Sequence, residues 1–297
     1  MNKYIDTHIH SNLSDGSLPI SDIVEIAKKN TSIFSITDHD TIISPQEITP
    51  LLDNNAPIAV PGVEISAYTQ DISHNKMLIH ILGYGFSQSN ILDQLLNQLK
   101  ENRYNTNYTF FHQTLNRYHN LSLDNFVGID FGKYCRFAKY MANFLKEQHK
   151  DVRNINEALL YLGQNRPVYT DYDVNAKTAI DAIHSANGFA VLAHPTEYKV
   201  KYNLNRYEIE TLVKRMISYG IDGIEAFYSE SEPDDMKFLY YLSQKYNLLY
   251  SCGSDFHHLA SGKVIGYGMN NNLCISETSL TQKIIQNGLF FNQRISR

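Results

Sequence analysis

Apolar positions along this chain fall into short continuous runs, and most of the runs end at a side chain able to do chemistry. Tyr4-Ile5-Asp6-Thr7 leads into His8-Ile9-His10, and Ile33-Phe34-Ser35-Ile36-Thr37 leads into Asp38-His39-Asp40. Ile58-Ala59-Val60-Pro61-Gly62-Val63 reaches Glu64, and Met77-Leu78-Ile79 reaches His80. Later, Phe189-Ala190-Val191-Leu192-Ala193 precedes His194, Gly223-Ile224-Glu225-Ala226-Phe227 forms a further run, and Leu248–Gly253 precedes Ser254-Asp255. Uninterrupted runs of this length read as buried parallel strands.

Helical periodicity lies between them. Ser21 or Asp22 is placed to cap a helix reaching about Asn30, with Ile23, Ile26 and Ala27 on one stripe. Ala176–Asn187 repeats apolar residues at Ala179, Ile180 and Ile183, with Gly188 as the expected stop. Arg206–Tyr219 and Asp234–Tyr246 show the same spacing, the first ending at Gly220 and the second following Pro233. Alternating strands and helices imply an α/β fold, here a barrel, whose chemistry gathers at the C-terminal strand ends.

Residues 89–170 break the rhythm. They predict helices over Ile91–Lys100, Tyr104–Tyr118, Lys139–Glu147 and Asn156–Leu162, with little strand character. The expected organisation is a barrel over 1–88 and 171–297, interrupted by a helical insertion at 89–170 over the barrel mouth.

Charge and composition sharpen this. The net charge of −5 argues against a protein that coats long duplex nucleic acid. Residues 89–170 hold ten Lys/Arg against seven Asp/Glu, a net of +3, so the remainder carries −8. Bound cations would neutralise part of that acidity. No apolar run is long enough for a membrane span, and the start runs directly into a strand without a signal-peptide pattern. Cys135, Cys252 and Cys274 are odd in number and far apart, which disfavours a disulfide framework or thiolate zinc and suits the cytoplasm. Nothing in the sequence sets an oligomeric state.

The candidate chemistry follows from the run ends. Alternation along a strand puts His8 and His10 on one side, able to chelate one ion. Asp15 follows in a loop. His39 lies between Asp38 and Asp40, as a ligand flanked by orienting carboxylates would. Glu64 is a single carboxylate able to bridge two cations. His80, His194, Asp255 and His257 complete the set, the last pair two apart on an extended segment and so facing one way. His8, His10, His39, His80, His194 and His257 all fall at or just beyond expected strand ends, on one barrel face. His74, His112, His119, His149, His184 and His258 read as surface residues.

In this order, HxH, DG, TDHD, GVE, HILGY, AHP and GSDFH resemble the motifs of the polymerase and histidinol phosphatase (PHP) family, over residues 3–86 and 170–268. The likeness is strongest to its stand-alone phosphoesterases acting on nucleotide phosphates and short RNA. It implies a distorted (β/α)7 barrel with a helical insertion, and two or three divalent ions. By the same resemblance, a first ion uses His8, His10, Glu64 and Asp255; a second Asp15, His39 and His257; a third Glu64, His80 and His194. Asp255, His257, Glu64 and Asp40 are the expected catalytic residues, Asp40 either orienting a ligand or touching the second ion. Where relatives carry Arg-Pro-His-Ile-Ala in the insertion, this chain has Tyr134-Cys135-Arg136-Phe137-Ala138-Lys139. Arg136 there can fork onto a phosphate, with Lys133, Lys139, Arg166 and Lys263 as weaker candidates.

Ligands of imidazole and carboxylate without thiolate suit Mn²⁺, Fe²⁺ or Zn²⁺. Paired ions acidify a bridging water and clamp phosphoryl oxygens, so the expected reaction is hydrolysis of a nucleotide 3′,5′-bisphosphate or of the 5′ end of a short RNA. A small-metabolite phosphatase, for instance of histidinol phosphate, and a non-catalytic metal module are the alternatives. No P-loop and no Gly-x-Ser-x-Gly elbow occurs in the chain.

Overall fold

The computed structural model describes residues 3–70, 75–117, 130–132, 141 and 174–291. The chain divides into two compact units, 1–96 with 174–297, and 97–173.

In the first unit, β1 (Tyr4–Ile9), α1 (Ile20–Asn30) and β2 (Thr31–Ile36) follow in strict alternation. A short α2 (Pro45–Ile48) precedes β3 (Ile58–Gln70) and β4 (Lys76–Tyr84). After α3 (Asn90–Arg117), which runs on into the second unit, come α4 (Ala176–Ser185), β5 (Phe189–Leu192), α5 (Pro195–Lys201) and α6 (Arg206–Ser218). Then come β6 (Gly223–Tyr228), α7 (Pro233–Lys245), β7 (Leu249–Gly253), a two-stranded ribbon of β8 (Lys263–Val264) and β9 (Gly268–Met269), and α8 (Ser279–Gln286).

The seven main strands form one sheet in the order β1-β2-β3-β4-β5-β6-β7. It curls into a distorted barrel, closed where Ile9 bridges Phe256 just beyond β7: His10 N–H donates to Phe256 O (2.8 Å) and Asp255 N–H to His8 O (2.8 Å). β4 runs antiparallel to both β3 and β5, so the expectation of parallel strands throughout fails there. Only five residues separate β3 from β4, and a parallel crossover needs a dozen or more. The reversal also moves two ligand candidates. Glu64 and His80 lie in the middle of long strands rather than at strand ends, because β3 continues to Gln70 and β4 to Tyr84.

Two apolar layers frame the barrel. Outside, α1 buries Ile23, Val24 and Ala27 against Phe34, Ile36 and Phe256. At the other end, α8, which periodicity did not reveal, inserts Leu280 and Ile284 among Ile5, Ile33, Val60, Leu82, Val191 and Cys252. Ile5, Ile33 and Val60 lie in the N-terminal halves of β1, β2 and β3, and Leu82 in the C-terminal half of the antiparallel β4. One end of the barrel is therefore sealed with hydrocarbon, leaving the polar residues to the other.

Helix boundaries show smaller differences. α1 starts at Ile20 behind Pro19, so Ser21 and Asp22 lie in its first turn and neither caps it. α4 is capped by Asn175, whose side chain accepts the Lys177 N–H, and Asn187 (φ 58°) takes the left-handed turn ahead of Gly188. α6 and α7 fall within one residue of expectation.

In the second unit, 97–117 is one continuous helix, not two separated near Lys100. Phe110, Phe111, Phe131 and Met141 are buried there, Arg103 donates to Gly132 O (3.1 Å) and Asn107 to Phe131 O (2.7 Å). The expected helices at 139–147 and 156–162 lie outside the described residues. No helix among the described residues is long and apolar enough to cross a membrane.

Candidate metal centre

Glu64 sits at the centre of the polar end, almost wholly buried on β3. Its two oxygens face different partners. Oε2 lies 3.4 Å from His8 Nε2, 3.2 Å from His10 Nε2 and 3.1 Å from His39 Nδ1. Oε1 lies 2.8 Å from His80 Nδ1 and 3.0 Å from His194 Nε2, and those two nitrogens are 3.3 Å apart. One carboxylate thus spans two imidazole groups.

A second carboxylate, Asp255, faces His8 Nε2 (3.6 Å), His10 Nε2 (3.3 Å) and His257 Nδ1 (3.4 Å) through Oδ1. Its Oδ2 is taken by Lys263 Nζ (3.1 Å) and by the Tyr228 hydroxyl, which donates at 3.2 Å. A third, Asp15, meets His257 Nε2 (3.2 Å) and His10 Nδ1 (3.6 Å) through Oδ1, and His39 Nε2 (3.9 Å) through Oδ2. All nine candidate ligands therefore converge, and they fall into four overlapping sets with donor atoms mutually within 4.8 Å: His10, Asp15, His39 and His257; His8, His10 and Asp255; His8, Glu64 and His194; His39, Glu64 and His80.

The backbone is bent to achieve this. Asp40 (φ 50°), His194 (φ 25°) and Asp255 (φ 51°) all adopt left-handed conformations, a strain of about 1–3 kcal/mol each that surrounding contacts must hold. Asp255 is hence not on a plain extended segment; it and His257 meet because the chain turns between them. Bracing carboxylates hold the loops. Asp38 accepts the Ser11 N–H (2.8 Å) and the Ser11 and Ser14 hydroxyls, fixing the loop that carries Asp15. Asp40 accepts the Ser66 N–H (2.7 Å), tying the His39 loop to β3. Asp6 accepts the backbone N–H of Ser254 and of Gly266, joining β1 to the loop after β7.

Electrostatics show what the cluster can hold. Burial pushes the Glu64 carboxyl up, but His39, His80, His8 and His10 outweigh it and hold it well below the usual carboxylate range. Asp255 and Asp15 are likewise held down against burial by the surrounding imidazoles, with Lys263 adding to the effect at Asp255. In return, burial lowers His10 but Asp255 and Glu64 raise it to about 9, and Glu197 and Glu64 raise His194 to about 10. His39 goes the other way: burial, with His10 and His80 beside it, takes it well below the ordinary value. The buried anions demand positive charge, which either protons or cations can supply. Among the described residues, six imidazole nitrogens of the cluster have no hydrogen-bond partner: His8 Nε2, both of His10, His39 Nδ1, His194 Nδ1 and His257 Nε2. Oxygen and imidazole donors with unsatisfied buried lone pairs fit divalent ions, whose binding displaces those protons.

Other sequence candidates fare differently. Lys263 is buried, and its ammonium is held by Asp255 and by Glu230 Oε1 (2.7 Å), so what the structure gives it to hold is a carboxylate. Arg136, Lys133, Lys139 and Arg166 lie outside the described residues, as do His74, His119 and His149. His184 pairs with Asp222 (2.8 Å), away from the cluster, and His112, in the second unit, packs on Tyr108. Two carboxylates were missed. Glu225 lies 3.0 Å from His8 Nδ1, and Glu197 3.0 Å from His194 Nδ1. A charge inside the apolar run 223–227 was the signal for the first, since buried charges need partners; the i,i+3 spacing from His194 was the signal for the second.

The Tyr228 hydroxyl offers a small test. Tyr228→Phe removes one donor to Asp255 and should cost about 1 kcal/mol of stability, measurable as a lowered urea midpoint at unchanged slope.

A barrel with imidazoles and carboxylates gathered at one end defines a metal-dependent hydrolase. Comparison with known proteins agrees. A 5′-3′ exoribonuclease of Haemophilus influenzae is 27% identical over 263 residues, covering 86% of this chain and 91% of that protein. A 3′,5′-nucleoside bisphosphate phosphatase of Chromobacterium violaceum is 26% identical over 270 residues, covering 87% and 88%. Among solved structures, one from Bifidobacterium adolescentis, named for a metal-dependent phosphoesterase, superposes with a TM-score of 0.73 at 21% identity over 100% of this chain and 99% of that one. No family model matches the chain. Motif order, fold and these relatives point one way: the chain resembles the polymerase and histidinol phosphatase family of metal-dependent phosphoesterases.

Proposed function

We propose that this protein hydrolyses phosphate esters of nucleotides, either a 3′,5′-bisphosphate or the 5′ end of a short RNA. The observation that carries the reading is Glu64, whose two oxygens are shared between His8, His10 and His39 on one side and His80 and His194 on the other. The relatives named as a bisphosphate phosphatase and as exoribonucleases, matched over most of their length, support the nucleotide class. They do not favour a small metabolite such as histidinol phosphate.

Two or three ions, Mn²⁺, Fe²⁺ or Zn²⁺, would be held by His8, His10, Glu64 and Asp255, by Asp15, His39 and His257, and by Glu64, His80 and His194. Bound there, they would supply Lewis acidity to the phosphoryl group and acidify water for attack. The chain's own part is positional. Asp255 keeps one oxygen for the site because Lys263 and Tyr228 hold the other. Asp38, Asp40 and Asp6 fix the loops bearing Asp15, His39 and Asp255. Phosphate contacts would come from Arg136, with Lys133, Lys139 and Arg166, in a helical insertion spanning about 89–170. The reading suits a cytoplasmic enzyme; among the described cysteines, Cys252 and Cys274 are both free.

The test uses purified protein with Mn²⁺. Phosphate release from a nucleoside 3′,5′-bisphosphate, or nucleotide release from a 5′-phosphorylated oligoribonucleotide, should proceed, cease after chelation and return with added Mn²⁺. If both substrates stay intact while histidinol phosphate is turned over, the nucleotide reading is wrong.

A further inference from the structure

Glu225 is a glutamate wholly buried in β6, in a run that is otherwise apolar. Each of its oxygens has one partner, and each partner is a candidate ligand on a different strand connection. Oε1 lies 3.0 Å from His8 Nδ1, on β1. Oε2 accepts the backbone N–H of His194 at 2.7 Å, just beyond β5. His194 is the residue with φ 25°, so this bond holds a strained turn at the point where its ring leaves for Glu64.

The His8 ring is fixed by the same carboxylate. With Nδ1 facing Glu225, Nε2 is the nitrogen that faces Glu64 Oε2 and Asp255 Oδ1, and it makes no hydrogen bond. A carboxylate behind a histidine selects the tautomer with the proton on the near nitrogen and leaves the far lone pair for a cation.

We infer that Glu225 is a positioning residue for metal capture: it presents His8 through Nε2 and sets the His194 turn, without itself touching an ion or substrate. The inference rests on the metal reading above and adds a positioning carboxylate behind two of the nine candidate ligands. The carboxylate is required in both directions, because it accepts two N–H donors. A glutamine in its place can accept only one; its amide NH₂ meets the other N–H donor to donor.

Glu225→Gln should therefore weaken Mn²⁺ binding by about 10–100-fold, measured by competition with a chelator of known affinity, with turnover regained at high Mn²⁺. A merely structural glutamate would lower the melting temperature of the metal-free variant and leave the Mn²⁺ affinity as in wild type, and that result overturns the inference. Should the variant not fold, the wild-type protein decides. In ¹⁵N–¹H correlation spectra of the Zn²⁺-loaded chain, His8 should carry its proton on Nδ1, and a proton on Nε2 overturns the assignment. If wild type itself binds neither ion, the metal reading fails first, and a Glu225 effect confined to the variant cannot be mistaken for that outcome.

Discussion

Glu64→Gln should reduce phosphate release by more than the ~100-fold that loss of a partner behind a ligand costs, because it strikes two groups of imidazoles at once. In the native chain Oε2 faces His8, His10 and His39, and Oε1 faces His80 and His194. An amide keeps the shape and packing of the side chain but replaces one oxygen with an N–H donor. Whichever way it turns, both groups lose the negative charge, and one of them also meets an N–H donor where it had an acceptor. Elemental analysis should show a fall in bound metal alongside the lost turnover. Wild-type turnover with full metal content in Glu64→Gln would refute the shared-carboxylate reading outright.

The second large effect falls on a residue with no side chain. A Cβ at Gly253 would overlap His8 Cβ and come within 2.6 Å of Glu225 Oε1. Neither neighbour has room to retreat: His8 is held in β1 and Glu225 is tied to both His8 and His194. Overpacking of a filled core costs about 1–3 kcal/mol, and here the atoms in the way are the least mobile of the site, so Gly253→Ala should reach the top of that range or exceed it. Urea denaturation should show the lowered midpoint, and metal affinity should fall with it, since His8 is the side chain displaced. A midpoint within error of wild type would mean that β7 sits farther from β1 than described.

How much of this the sequence disclosed depended on whether a feature was local. The apolar runs announced all seven strands, and α6 and α7 were legible from spacing within one residue. His8 and His10 were legible as a pair because period-two alternation is a local rule; their rings lie 5.2 Å apart. The direction of β4 was not, since an apolar run looks the same whichever way it is paired, although the five-residue link from β3 held the clue. The helix break expected near Lys100 did not occur, since that stretch of α3 holds no Gly or Pro to break it. Glu225, Glu197 and Lys263 show the limit most clearly. A charge in an apolar run and an i,i+3 spacing can flag Glu225 and Glu197, but the run does not name the partner of Glu225, which is His8, more than two hundred residues away.

The join between Ile9 and Phe256 is where the ends of the barrel meet, across nearly the whole length of the chain. On one side of it stand His8 and His10, on the other Asp255 and His257. Ring closure and site assembly are consequently linked: until the last strand finds the first, Asp255 and His257 do not stand beside the other donors. An ion lodged there would act as a rivet across a contact between the two ends of the barrel, one whose closure is entropically costly to gain.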